Sequence, residues 1–136
     1  MGGRINEGAS NKIIEGFSEV ESKTIYEAKD ILTSPEFKKI RTAHEMGESV
    51  TVNINGRTIQ YEPGLNSSGM TLFGEDGFLI GNEAFQSSDE ITQTVLHELH
   101  RLNTTQSATG INGNLVTNET QAAFNFAQKA LEQLKQ

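Results

Sequence analysis

The stretch Ser49–Gly64, SVTVNINGRTIQYEPG, constrains this chain more than any other. Asn55-Gly56 is a dipeptide suited to two successive residues at positive φ, which a two-residue primed hairpin turn requires. With that turn in place, Val52 faces Ile59 and Val50 faces Tyr61, so a single apolar face results. A slip of one residue would turn that face outward. Pro63 and Gly64 end the hairpin. Arg57, opposite Ile54, is a candidate substrate-binding residue, with a surface position as the plainer reading.

The rest of the chain arranges itself around this hairpin. Apolar residues from Asn11 to Leu32 (Ile13, Ile14, Phe17, Val20, Ile25, Ala28, Ile31, Leu32) recur at spacings of three and four, predicting a long first helix. Ser34 and Pro35 suit the cap and first position of a second helix, which should stop at Gly47. MTLFGEDGFLIG reads as a second hairpin turning at Gly74 to Gly77, with Phe78, Leu79 and Ile80 as a short buried strand. Ser87 and Glu90 have capping-box spacing ahead of Ile91, Val95, Leu99 and Leu102, and predict a third helix facing the sheet. Asn103 to Asn114 is a polar loop. Asn118 and Gln121 repeat the cap pattern before a last amphipathic helix through Leu134. Two N-terminal helices, two hairpins forming a small antiparallel-rich sheet and two C-terminal helices make an α+β domain.

Composition narrows the function. At 136 residues one domain suffices, spanning 1–136. There is no cysteine, so any metal would need His, Asp or Glu. A net charge of -7 argues against a broad phosphate-binding surface. No apolar run approaches the ~20 residues that span a bilayer, so no membrane role is expected and the chain should be soluble. The opening MGGR suggests a piece of something larger.

The residues that carry chemistry lie on the third helix, in TVLHELHRLNTT. At about 100° per residue from His97, Arg101 lies near 40°, Thr94 near 60° and Glu98 near 100°, bordering the stripe of Ile91, Val95, Leu99 and Leu102. His100, near 300°, points elsewhere. A His and a Glu beside a buried stripe are partly desolvated, which tunes such groups for proton transfer. An ordinary solvated helix face is the competing explanation. Thr94 and Thr105 are candidate substrate contacts. His44, near the end of the second helix, is first of all a residue favoured by the helix dipole.

The order of hairpin, strand, HE helix and a further helix opening near Glu119 resembles a zincin-type hydrolase core. That resemblance would put His97 at the first metal ligand, Glu98 at the general base and Glu119 at the third ligand. The second histidine is replaced by Arg101, whose guanidinium can take the place of the cation and pair with a carboxylate. No metal and no other cofactor is therefore expected. Ala122, Ala123 and Ala127 would let the last two helices approach closely.

The run from about Arg57 to Ala130 resembles the C-terminal toxin domains of bacterial polymorphic and contact-dependent growth-inhibition exoproteins. There a HE helix and an ET-AA-FA helix follow an IG-AF-S segment, as in LIGNEAFQSS, TVLHELHRL and ETQAAFNFA. The resemblance implies a fragment of a larger exoprotein, delivered into a target bacterium's cytoplasm and neutralised by a cognate immunity protein. A monomer is expected. Such domains mostly destroy RNA or DNA.

Three functions remain open. One is a metal-independent nuclease, chiefly an RNase, with His97 as acid or base, Glu98 as partner, and Arg101 meeting the charge that develops. Another is a zincin-like, zinc-dependent metallopeptidase with His97, His100 or a displaced group, and Glu119 as ligands. The third is a non-catalytic binding module in which His97, Arg101 and Glu119 form a polar cluster. The resemblance favours the nuclease.

Overall fold

The computed structural model describes residues 12–72, 76–105 and 113–135, apart from the side chains of 72, 105 and 113–120. The elements run α1 (Glu19–Thr33), α2 (Phe37–Met46), β1 (Val50–Ile54), β2 (Arg57–Tyr61), β3 (Gly69–Leu72), β4 (Gly77–Ile80), a 3₁₀ turn (Asn82–Gln86), α3 (Ser88–Thr105) and α4 (Gly113–Leu134). This is an α+β fold with helices at both ends of the chain and a four-stranded sheet between them. Among the described residues no helix is long and apolar enough to cross a membrane.

The first hairpin forms in the expected register, Val50 opposite Tyr61 and Val52 opposite Ile59. Asn55 (φ 51°) and Gly56 (φ 87°) both occupy the left-handed region that a primed turn demands. The second expected hairpin forms as well, β3 pairing antiparallel with β4, and the two hairpins join through a parallel contact. The sheet order is β1-β2-β4-β3, because β4 inserts beside β2 in parallel and β3 pairs antiparallel with the outer side of β4. The loop after β2 crosses the end of β4, where the Gly81 amide donates to the Ser68 carbonyl at 2.8 Å.

This order aligns side chains in rows across the sheet. One row is Val52, Ile59, Phe78 and Thr71, and another is Val50, Tyr61, Ile80 and Gly69. Both rows begin apolar and end, on β3, in a hydroxyl and a glycine. The helices close over this face, and Ile25, Ile31, Phe37, Ile40, Val95, Leu96 and Leu99 join its apolar side chains in one core. The opposite face, with Thr51 and Met70, is left to water.

Several helix ends differ from expectation for local reasons. α1 begins at Glu19, not Asn11, because Gly16 turns the chain at φ +90° and Ser18 forms a capping box with Glu21. Ile14 and Phe17 still pack against the core from that turn. α2 stops where expected, with Gly47 in the left-handed conformation at φ 71°. α4 starts at Gly113, five residues ahead of the expected cap at Asn118, since once a helix is nucleated each added residue costs little. The expected turn at Gly74 lies outside the described residues.

Arg57 takes up a structural task. Its guanidinium pairs with Glu27 at 2.7 Å, donates to Asn103 Oδ1 at 2.6 Å and lies 3.6 Å from Asp76. Asn103 in turn donates to Thr24 Oγ1 at 2.8 Å. The network ties the start of β2 to α1 and to the C-terminal end of α3. Arg57→Ala is expected to lower stability by about 2 kcal/mol, because it removes charge-assisted bonds from a largely covered site. Chemical denaturation checks this.

Candidate functional site

α3 starts sharply because the Ser87 hydroxyl accepts the Glu90 amide at 3.0 Å. The reciprocal half of the expected capping box is not made. The Glu90 carboxylate instead accepts from the Ser68 hydroxyl at 3.1 Å, across to the approach of β3. From there a polar row climbs one side of α3: Glu90, Thr94, His97 with Glu98, and Arg101.

A cleft of about 210 Å³ opens over this row. Ser68 and Gly69 form one wall, Glu90, Gln93, Thr94, His97 and Glu98 the floor, and Phe124 and Ala127 of α4 the other wall. Gly69 is required by the close approach of strand and helix. A Cβ there would lie 2.9 Å from Thr94 Cγ2 and 3.2 Å from Glu98 Cγ. At Gly69 the backbone of β3 therefore lies directly against the Thr94 and Glu98 side chains of α3.

His97 and Glu98 differ sharply in setting. Glu98 is 3% exposed and accepts a hydrogen bond from the Thr71 hydroxyl, the polar end of a sheet row. Burial pushes its carboxyl above the usual range, against the opposing pull of the Thr71 bond and the Arg101 charge. His97 is pulled down to about 4, first by burial and then by the positive charges of Arg101 and His100. The usual order of the two groups is thus inverted: near neutrality His97 is an unprotonated acceptor, and Glu98 holds its proton more firmly than a free carboxyl. Such a pair has a base and an acid side by side.

This inversion bears on stability. The fold favours neutral His97, so its contribution is present above the ordinary value of 6.5 and is lost as pH falls from there to about 4. The ceiling is ~3 kcal/mol, and the exposed part of the ring reduces it through solvent screening. Urea midpoints should therefore fall between pH 6.5 and 4 more steeply for the native chain than for His97→Gln. Parallel curves would show that His97 does not titrate as its setting requires.

Of the residues singled out from the sequence, the fold brings His97, Glu98 and Thr94 into the cleft, with Thr94 only 5% exposed. Arg101 lies close enough to act electrostatically on both His97 and Glu98, though it is not part of the cleft lining. Arg57 is not part of this cleft and lies in the network described above, paired with Glu27. The side chains of Glu119 and Thr105 lie outside the described residues, and so does the expected pairing of Glu119 with Arg101.

His100 points away from the cleft, as its position on the helix predicts, and into the contact with α4. It is 6% exposed and stacks on Phe126 with ring centroids 4.7 Å apart. α4 covers that side of α3, so the helix is buried on two sides, and Leu96 is likewise fully covered. His44 stacks on Phe85 at 4.1 Å and meets the edge of Tyr61, in an aromatic group apart from the cleft.

Thr71, Ser68 and Glu90 are the site residues that sequence reasoning missed. Glu90 was accessible to it, because seven residues before His97 returns to nearly the same side of a helix. Thr71 was not, since its role depends on β3 lying at the sheet edge. Among the described residues, no three His, Asp, Glu or Cys side chains come together as a metal-ligand group. The zincin ligand set therefore rests on His97 plus residues that do not match it or are not described. No family model, no curated protein and no solved structure matches the chain.

Proposed function

We propose that this chain is a hydrolytic effector domain of the bacterial polymorphic-toxin class, and that its cleft acts on an extended polypeptide. One observation carries the choice of substrate: the His97–Glu98 cleft lies beside β3, an edge strand of the sheet, and among the described residues its lining contains no lysine or arginine. An edge strand offers unpaired backbone groups to an extended chain. A phosphodiester would bring negative charge into a cleft that already holds Glu90 and Glu98, with no lysine or arginine among the described lining residues to meet it. For that reason the polypeptide reading is preferred to the RNase suggested by the toxin resemblance.

In the reaction, neutral His97 takes a proton from water as its oxygen attacks the scissile carbonyl carbon. Glu98 gives its proton to the departing nitrogen as the C–N bond breaks, leaving a carboxylic acid and an amine. Thr71 holds the Glu98 carboxyl in place. Burial, and after it the positive field of Arg101, keeps the imidazole unprotonated. The class assignment carries with it a target-cell cytoplasm and a cognate immunity protein, which would neutralise the domain in the producing cell.

The test is to incubate the purified domain with unfolded casein, total RNA and DNA, each with and without chelator, and to express it in bacterial cytoplasm without a partner. Casein cleavage and growth arrest are expected, both removed by His97→Gln. Degradation of RNA with casein intact would overturn the polypeptide reading in favour of the nuclease. Harmless expression and no turnover of any substrate would favour a binding module.

A further inference from the structure

The cleft is asymmetric along α3. Phe124 stands in its wall with 48% of its surface exposed, an unusual amount for a large aromatic lining a cavity. α4 runs antiparallel to α3, since Phe126 stacks on His100 while Lys135 reaches Asp89 at 3.1 Å. Phe124 therefore lies toward the His97 and Arg101 end. Glu90 lies at the other end, about 10 Å from His97 along the helix. Its carboxylate is held toward the cleft by the Ser68 hydroxyl at 3.1 Å, and among the described residues neither lysine nor arginine lines the cleft.

From these features we infer that Glu90 is a specificity-determining residue, forming a subsite for a lysine or arginine side chain of the bound polypeptide. The inference rests on the polypeptide reading above. An apolar stem and a terminal cation suit a cleft that has Ala127 in its wall and the Glu90 carboxylate at its end. A long basic side chain spans roughly 6 Å and adjacent residues of an extended chain are ~3.3 Å apart. The basic residue therefore lies within about two positions of the scissile bond. A charge-assisted bond to a half-buried carboxylate discriminates strongly against an uncharged side chain of the same length.

The probe is Nα-acetyl-lysine methylamide, compared with its norleucine isostere, titrated into the full chain while the Ser68, Glu90 and Gln93 amide resonances are followed. The lysine compound should bind about tenfold more tightly than the norleucine one. That preference should vanish in Glu90→Gln, which keeps an acceptor for Ser68, and circular dichroism verifies the fold. Equal binding of both compounds, binding of neither, or a preference that survives Glu90→Gln would overturn the subsite. In parallel, casein fragments mapped by mass spectrometry should carry a basic residue within two positions of the cut, with KM rather than kcat rising in Glu90→Gln. If the lysine compound binds through Glu90 and casein stays intact, the subsite stands and the hydrolase reading falls. Cleavage without a basic preference leaves the hydrolase standing and sinks the subsite.

Discussion

His97→Gln is expected to reduce polypeptide cleavage by ~10²-fold or more, the usual contribution of a positioned general base. Glu98→Gln should cost a similar factor, because the amide can still accept from Thr71 but has no proton to give. The pH profile distinguishes this assignment from the reverse one. Activity requires unprotonated His97 and protonated Glu98, so the rate should rise through about pH 4, where His97 loses its proton. It should fall again as pH climbs through the raised value of Glu98. Thr71→Val removes the bond that opposes burial, and so should move the alkaline limb upward, with Thr71→Ser restoring it. An acidic limb at the ordinary histidine value, unchanged by Arg101→Gln, would show that His97 is not the base.

The largest effect on stability should come from a small substitution, Gly77→Ala. Gly77 pairs with Thr58 in the parallel β2–β4 contact, and an added Cβ would sit 3.0 Å from the Thr58 carbonyl carbon and closer still to its oxygen. The obstacle is backbone, which cannot rotate aside, so relief requires prising β4 from β2. A loss of about 3 kcal/mol or more follows, and a fall in Tm on the order of 10 °C. The damage should spread to the site, since β4 holds β3, and β3 carries Thr71 to Glu98. Thermal unfolding and the Glu98 titration should shift together. A variant as stable as the native chain would mean that β2 and β4 do not pair as described.

Legibility divides along the range of the interactions. The Asn55-Gly56 hairpin, the stop of α2 at Gly47 and the row of Thr94, His97, Glu98 and Arg101 on one side of a helix were readable, because turn chemistry and helical period act between residues close in the chain. His97 and Glu98 could thus be paired before any fold was known. Their protonation could not, because burial, which inverts their order, comes from β3 and α4 closing over α3. Nor did any local pattern mark β4 as the strand that inserts beside β2, placing β3 at one edge. That pairing is won by the complete apolar rows it creates, Val52–Ile59–Phe78 above all, through contacts distant in sequence. The same distance hid the Thr71 bond to Glu98, the stacking of His100 under α4 and the capture of Arg57 by Glu27. By itself the sequence determined which side chains share a helix face or a hairpin. The tertiary structure decided which of them meet, because packing and desolvation depend on neighbours that periodicity does not name.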